Sequence, residues 1–217
     1  MTLAIFDLDN TLIAGDSDHL WGRYLCDRGL VDTSDFAERN EQFYRAYQAG
    51  QLDIQAYLRF ALAPLAGRDP RQLAAWHADF MATVIAPLTL PAAQALIERH
   101  RGLGHRLLVI TATNAFITGP IVAALGIADL LACEAERVNG FYTGEPVGTP
   151  SFGQGKVTRL AAWRQAQGES LDGAWFYSDS HNDLPLLSQV DNPVAVDPDP
   201  ALRAHAEQVG WPVISLR

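Results

Sequence analysis

Asp7 and Asp9 stand two residues apart, directly after four unbroken apolar residues, Leu3 to Phe6. An apolar run of that length reads as a buried parallel strand. Asp7 then falls at the strand's carboxyl end, where open α/β sheets place their ligands. In extended chain, residues i and i+2 share a face. Both carboxylates can reach one point there, and their repulsion calls for a divalent cation. A solvated turn built from Asp9 and Asn10 is the plainer reading of the same residues. Reactive residue types close other apolar runs as well. Thr111 follows Leu107 to Ile110, and Lys156 follows the turn Gly153-Gln154-Gly155. Asp179 and Asp183 follow Ala174 to Tyr177.

Taken together and in this order, the four motifs resemble those of the haloacid dehalogenase (HAD) superfamily of phosphohydrolases. The subgroup they are most similar to is the phosphoserine-phosphatase-like one, whose members carry helical caps. The resemblance spans nearly the whole chain. It implies that Asp7 is a nucleophile that attacks phosphorus in line and forms an aspartyl-phosphate. It implies that Asp9 protonates the leaving alkoxide and then takes a proton from water. Thr111 would donate its hydroxyl to a phosphoryl oxygen, and Lys156 would act as a point charge on the phosphate. Asp7, Asp9, Asp179 and Asp183 would form the Mg²⁺ site, Asp183 directly or through water. Lys156 is the only lysine in the chain; the other fifteen basic residues are arginine.

The implied substrate is a small-molecule phosphate monoester. Asp16 lies where phosphoserine phosphatases carry a glutamate that meets the substrate ammonium, so an aminoalkyl phosphate such as phosphoserine or histidinol phosphate is expected. His19, near the mouth of the site, and Ala112, in place of the Gly of a Ser-Gly pair, are further substrate-binding candidates. Asn182 would orient Lys156 or the phosphate. A phosphotransferase or phosphomutase of the same superfamily is an alternative, as is a non-enzymatic phospho-accepting receiver domain. A nucleotide-binding P-loop at Lys156 is rejected, because Pro150 stands where a glycine is required and Val157 replaces the metal-binding Ser or Thr.

The elements that must position these residues fall into two blocks. Residues 16–86 show only helical signals. Asp18 is expected to cap a helix through Cys26, Ser34 one ending at Gly50, Asp53 a third that Pro64 stops, and Asp69-Pro70 a fourth running through Val84. From residue 92 onward, helices alternate with strands ending at Thr111, Glu134, Tyr177, Val196 and Ile214. Asn139-Gly140 marks a hairpin. The expected fold is therefore α/β: a Rossmann-like parallel sheet core with an inserted all-helical cap, the core formed by residues 1–15 and 87–217 and the cap by 16–86.

Composition narrows the partners. A hydrophobic content of 48% with 19% charged residues suits a compact chain. No apolar stretch approaches the roughly 20 residues that span a bilayer, and no signal peptide is visible. A formal net charge of −9 argues against nucleic acid and anionic membranes as partners. Two cysteines, Cys26 and Cys133, are too few for a disulfide framework and suit a cytoplasmic protein.

Overall fold

The structure, a computed structural model, describes all 217 residues. Seven strands form one sheet: β1 (Leu3–Phe6), β2 (Arg106–Asn114), β3 (Asp129–Val138), β4 (Phe141–Val147), β5 (Trp175–Ser178), β6 (Asn192–Val196) and β7 (Val213–Ile214). Their order is β4-β3-β2-β1-β5-β6-β7. Only β3 and β4 pair antiparallel, through a turn at Asn139 and Gly140, which both take positive φ (52° and 85°). That geometry is the one an Asn-Gly hairpin turn provides.

β1 lies between β2 and β5, with Phe6 aligned with Val109 on one side and Tyr177 on the other. Its alternate residues serve opposite faces. Ala4 and Phe6 join a large core with Trp21, Phe80 and Ile97, whereas Leu3 and Ile5 join a second core with Leu160, Leu186 and Leu202. A strand covered on both faces has no polar side, which explains the unbroken apolar run at residues 3–6. β2 and β3 both outrun the sequence expectation, β2 by the three residues from Ala112 to Asn114. Their pairing shifts register between Ile110 and Asn114, and this irregular stretch carries Thr111 and Thr113.

The segment between β1 and β2 is helical. It holds α1 (Ser17–Asp27), α2 (Thr33–Gln48), α3 (Ile54–Leu62), α4 (Pro70–Phe80) and, returning to the sheet, α5 (Pro91–Gly102). Two expected caps are corrected. α1 is capped by Asp16, not Asp18: Asp16 is extended, and its carboxylate accepts from the His19 amide at 2.8 Å. α2 starts at Thr33 after Asp32, which places Ser34 inside the helix. Asp53 and Asp69 cap α3 and α4 as their positions predict. The fourth helix does not run regularly through Val84, because Met81–Ile85 continues as a wider turn in which the Ala86 amide reaches back to the Met81 carbonyl. Where the chain leaves the sheet it bonds to its own return: Ile13 pairs with Thr89, and the Ala14 amide donates to the Leu88 carbonyl at 2.9 Å. No helix is long and apolar enough to cross a membrane.

The remaining helices are α6 (Ala115–Ala124), α7 (Gln154–Gln167), α8 (Leu184–Leu187) and α9 (Pro200–Val209). Beneath β1 and β5, the buried His100 ring bonds to the Tyr177 hydroxyl and to His105 Nδ1, both at 2.8 Å, with Phe6 and Trp175 against its faces and edges. Burial holds the His100 imidazole's pKa down to about 4, and the His105 and Arg99 charges act the same way. The unfolded chain binds a proton at His100 below about pH 6.5, while the folded chain resists it until about 4. Stability from this residue is thus complete above the upper value and drains as pH falls toward the lower. Urea unfolding at pH 6.5 and pH 4 should show a loss of on the order of 2–3 kcal/mol from this group. His100→Gln should remove that portion of the pH dependence; an unchanged slope in the variant would contradict the assignment.

Candidate active site

Asp7 directly follows β1, and its amide continues the pairing to the Tyr177 carbonyl at 2.9 Å. The register of β1 with β5 then sets Asp179, just past β5, at the same edge of the sheet, and β2 brings Thr111 and Thr113 there from the other side. Lys156, in the first turn of α7, reaches this edge from below. Its Nζ donates to Asp7 Oδ1 and to Asp183 Oδ2, each at 2.8 Å. All three groups are at most 5% exposed. The turn before Lys156 requires its glycines. Gly153 has φ +51°, and a Cβ at Gly155 would lie 2.0 Å from the Pro150 carbonyl oxygen.

Burial by itself would lower the Lys156 pKa; the charges of Asp183 and Asp7 outweigh it and raise it. Burial pushes the Asp7 carboxyl up to about 7 against the pull of Lys156, with the Asp183 charge adding to the rise. Asp179 is raised well above the usual carboxylate range by burial and by Asp7, partly offset by Thr11. The Thr11 hydroxyl donates to Asp179 Oδ1 at 3.0 Å and accepts from the Asp179 amide at 3.1 Å. Asp9 turns to the other side. Its Oδ1 accepts from the Ser17 amide at 2.7 Å, and its Oδ2 accepts from Thr113 Oγ1 at 2.8 Å and from Thr111 Oγ1 at 3.5 Å. Burial and the Asp16 charge lift Asp9 to about 6, while the Ser17 and Thr113 bonds restrain it.

The four-carboxylate metal set is narrowed by this geometry. Asp9 is engaged through both oxygens by protein donors, and Asp183 Oδ2 is shared by Lys156 and by Ser178 Oγ at 2.7 Å. Asp7, Asp179 and Asp183 each keep one oxygen that no protein donor reaches. No three acidic, histidine or cysteine side chains converge into a ready-made metal cage. A cation bound here would be one that takes a few carboxylate oxygens and fills its other positions with water and substrate oxygens, which is how Mg²⁺ is held in phosphate sites.

Above the strand ends lies a cavity between the sheet edge and the helices α1, α2 and α3. Asp7, Asp9 and Thr111 to Thr113 line its sheet side; Asp16, Asp18, His19 and the aromatic rings of Phe43, Tyr44 and Tyr57 line the helical side. His19 stacks on Tyr44 with ring centroids 4.3 Å apart and bonds to Asn40. Burial lowers its pKa. Thr111, Ala112, Asp16 and His19 therefore share one cavity with Asp7 and Asp9. Asn182 does not: it bonds to Ser180 Oγ and to the Tyr47 carbonyl at the end of α2, where it links the two blocks and does not touch Lys156. Sequence reasoning missed Thr113, Asp18 and Tyr57. Thr113 was findable, being two residues beyond Thr111 and hence on the same strand face.

Comparison with known proteins gives the family and the fold. The family model of haloacid dehalogenase-like hydrolases matches residues 4–188. A histidinol-phosphatase of Neisseria meningitidis serogroup C is 48% identical over 219 residues, covering 99% of both chains. Among solved structures, a protein of unknown function from Bordetella pertussis Tohama I superposes with a TM-score of 0.93 at 41% identity over the full length of both. A phospho-aspartyl intermediate analogue of phosphoserine phosphatase superposes at 0.72 with 17% identity, covering 100% of this chain and 93% of the other; at that identity it speaks for the fold alone.

The Lys156 pairing has a measurable consequence. Lys156→Met leaves Asp7 and Asp183 buried without a counter-charge. Removing one partner of a buried ion pair costs about 3–5 kcal/mol. Urea unfolding of the metal-free variant should show a loss of that size, and a change below about 0.5 kcal/mol, typical of surface positions, would overturn the reading.

Proposed function

The chain belongs to the haloacid dehalogenase-like hydrolase family and is a phosphatase; from that premise we propose that it hydrolyses an aminoalkyl phosphate without a carboxylate, histidinol phosphate. The observation that carries this reading is the charge of the cavity. Asp7, Asp9, Asp16 and Asp18 line it, and no lysine or arginine does. A substrate carboxylate such as that of phosphoserine would meet acidic groups and no cation, whereas an amine or imidazole would meet its complement. The aromatic rings on the helical side suit a flat heterocycle, especially a cationic one. The 48% identity to a histidinol-phosphatase supports the same choice.

In this mechanism Asp7 attacks phosphorus, its carboxylate oxygen forming a bond as the ester P–O bond breaks. Lys156, bonded to Asp7 Oδ1, fixes the carboxylate's orientation and favours its ionised form. Asp9 hands a proton to the departing alkoxide. It then takes one from a water that attacks the phosphorus of the aspartyl-phosphate, releasing inorganic phosphate and regenerating Asp7. A carboxyl held near 6 can do both at neutral pH. Thr113 and the Ser17 amide hold Asp9 toward the cavity. Thr111, beside them, is placed to donate to a phosphoryl oxygen. Asp7, Asp179 and the free oxygen of Asp183 would hold Mg²⁺, which when bound offsets negative charge on the phosphate and its neighbouring carboxylates. Asp183 also holds Lys156 through its other oxygen. Residues 16–86 serve as a cap whose movement admits substrate and whose closure excludes water.

Asp7→Asn should abolish turnover with the fold retained, measured as phosphate release by protein free of host phosphatases. Wild-type kcat/KM should favour histidinol phosphate over phosphoserine by about 10- to 100-fold, the size expected when one charge-assisted hydrogen bond forms and one repulsion is avoided. The reverse preference would overturn the substrate assignment. Transfer of phosphate to a second alcohol in place of its release would overturn hydrolysis.

A further inference from the structure

One buried charge in the cavity has no task in this mechanism. Asp18, in the first turn of α1, is 5% exposed, and neither of its carboxylate oxygens has a hydrogen-bond partner. The hydroxyl of Ser17, next to it, is buried and unpartnered too. Polar groups so placed are nearly always paired, because burying a bare carboxylate is costly. Burial and the charges of Asp16 and Asp9 all disfavour its ionised form, and the nearby Tyr57 hydroxyl is the one neighbour that favours it.

No structural duty accounts for the residue. The N-cap of α1 is already filled by Asp16, whose Oδ1 holds the His19 amide. An acidic side chain in a first helical turn does favour the helix dipole, but it does so from solvent and need not be buried. Asp18 instead faces the cavity that Asp7 and Asp9 line from the sheet side. Asp16 was the residue expected to meet a substrate ammonium; its commitment to the cap leaves Asp18 as the carboxylate in the cavity with both oxygens open.

Resting on the reading of the site as an aminoalkyl phosphatase, we infer that Asp18 is its specificity carboxylate. It receives a cationic nitrogen of the substrate while the phosphate lies against Asp7. Ammonium and imidazolium share that chemistry: each brings a full positive charge and N–H donors to a carboxylate that has neither nearby. The substrate cation favours the ionised form of Asp18 only when it is bound, so the carboxylate and its partner appear together and the pairing is confined to the complex. Discrimination then works against neutral analogues, which would seal the bare carboxylate under the helices without a partner.

The test compares kcat/KM for histidinol phosphate with that for propyl phosphate, in wild type and in Asp18→Asn. The wild-type ratio should be large, and the substitution should lower it by about 10- to 100-fold. Asp18→Glu, which keeps the charge, should retain more of the preference than Asp18→Asn. Wild type assayed with the analogues lacking either the amine or the imidazole needs no variant and identifies the nitrogen: the analogue that loses the preference marks the group Asp18 receives. Thermal unfolding gives a second readout. Asp18→Asn should melt at or above the wild-type temperature, because an acidic group crowded by Asp16 and Asp9 is gone, and the shift on adding histidinol phosphate to Asp7→Asn should shrink in the double variant. A preference undiminished in Asp18→Asn would overturn the role of Asp18 and leave the substrate assignment standing. A wild type that prefers phosphoserine would instead sink the substrate assignment, and wild-type indifference between histidinol phosphate and propyl phosphate would sink both.

Discussion

Asp7, Asp9, Asp16, Asp18, Asp179 and Asp183 crowd the carboxyl edge of this sheet, and one ammonium group stands among them. The pair of ionic hydrogen bonds from Lys156 to Asp7 and Asp183 is the interaction on which the arrangement depends. An unpaired charge at such depth would neutralise itself or open the structure. With Lys156 in place, Asp7 is held where it can attack, and Asp183 is held where it supports the lysine. The deficit that remains, at Asp7 and Asp179, is what a divalent cation and its phosphate-bearing substrate are suited to meet.

The fold supplies this arrangement through register. Parallel pairing of β2, β1 and β5 brings three strand ends to one edge; the end of β2 carries Thr111 and Thr113, and the segments beyond β1 and β5 carry Asp7, Asp179 and Asp183. Lys156 arrives from outside that series, through a glycine turn too tight for any side chain at Gly155. The loop after β1 then does two things at once. Asp9 receives the Ser17 amide, and Asp16 receives the His19 amide, so the start of α1 is bonded directly to the catalytic segment. Any shift of α1 is felt at Asp9.

The two sides of the cavity divide the work between them. The sheet side handles phosphate, and its residues are set by strand geometry. The helical side, with its aromatic rings and its open carboxylate, reads the rest of the molecule. The two sides also touch elsewhere: Asn182 bonds to the end of α2, Glu145 of the hairpin pairs with Arg59, and the Gly67 amide donates to the Tyr142 carbonyl. These polar contacts lie over a shared apolar core, in which Trp21, Leu25, Leu62 and Phe80 of the helical block pack with Phe6, Val109 and Ile121 of the sheet block, so any movement of one block on the other must keep or re-form that packing.

The reactive residues and their order along the chain were legible because strand-end chemistry is local. Four apolar residues followed by Asp7 and Asp9, Thr111 closing a second run, and Asp179 closing a third mark strand ends by sequence alone, and the Asn139-Gly140 turn specifies its own hairpin. The helical block was legible as a block, since its apolar spacing never takes a period of two. What required the tertiary structure was the allocation of partners. Asp16 and Asp18 have the same side chain and lie two residues apart; only the direction in which α1 leaves the loop decides that one caps the helix and the other is buried in the cavity. Asp9 looks like a metal ligand until the Ser17 amide and Thr113 are seen to hold both its oxygens, and one oxygen of Asp183 is taken by Ser178 and Lys156. Asn182 has the spacing to serve Lys156, but the packing of α2 on its loop takes its amide instead. Hydrogen-bond partners distant in sequence are set by how elements dock, and docking depends on the shape of whole faces, which no short stretch of sequence contains.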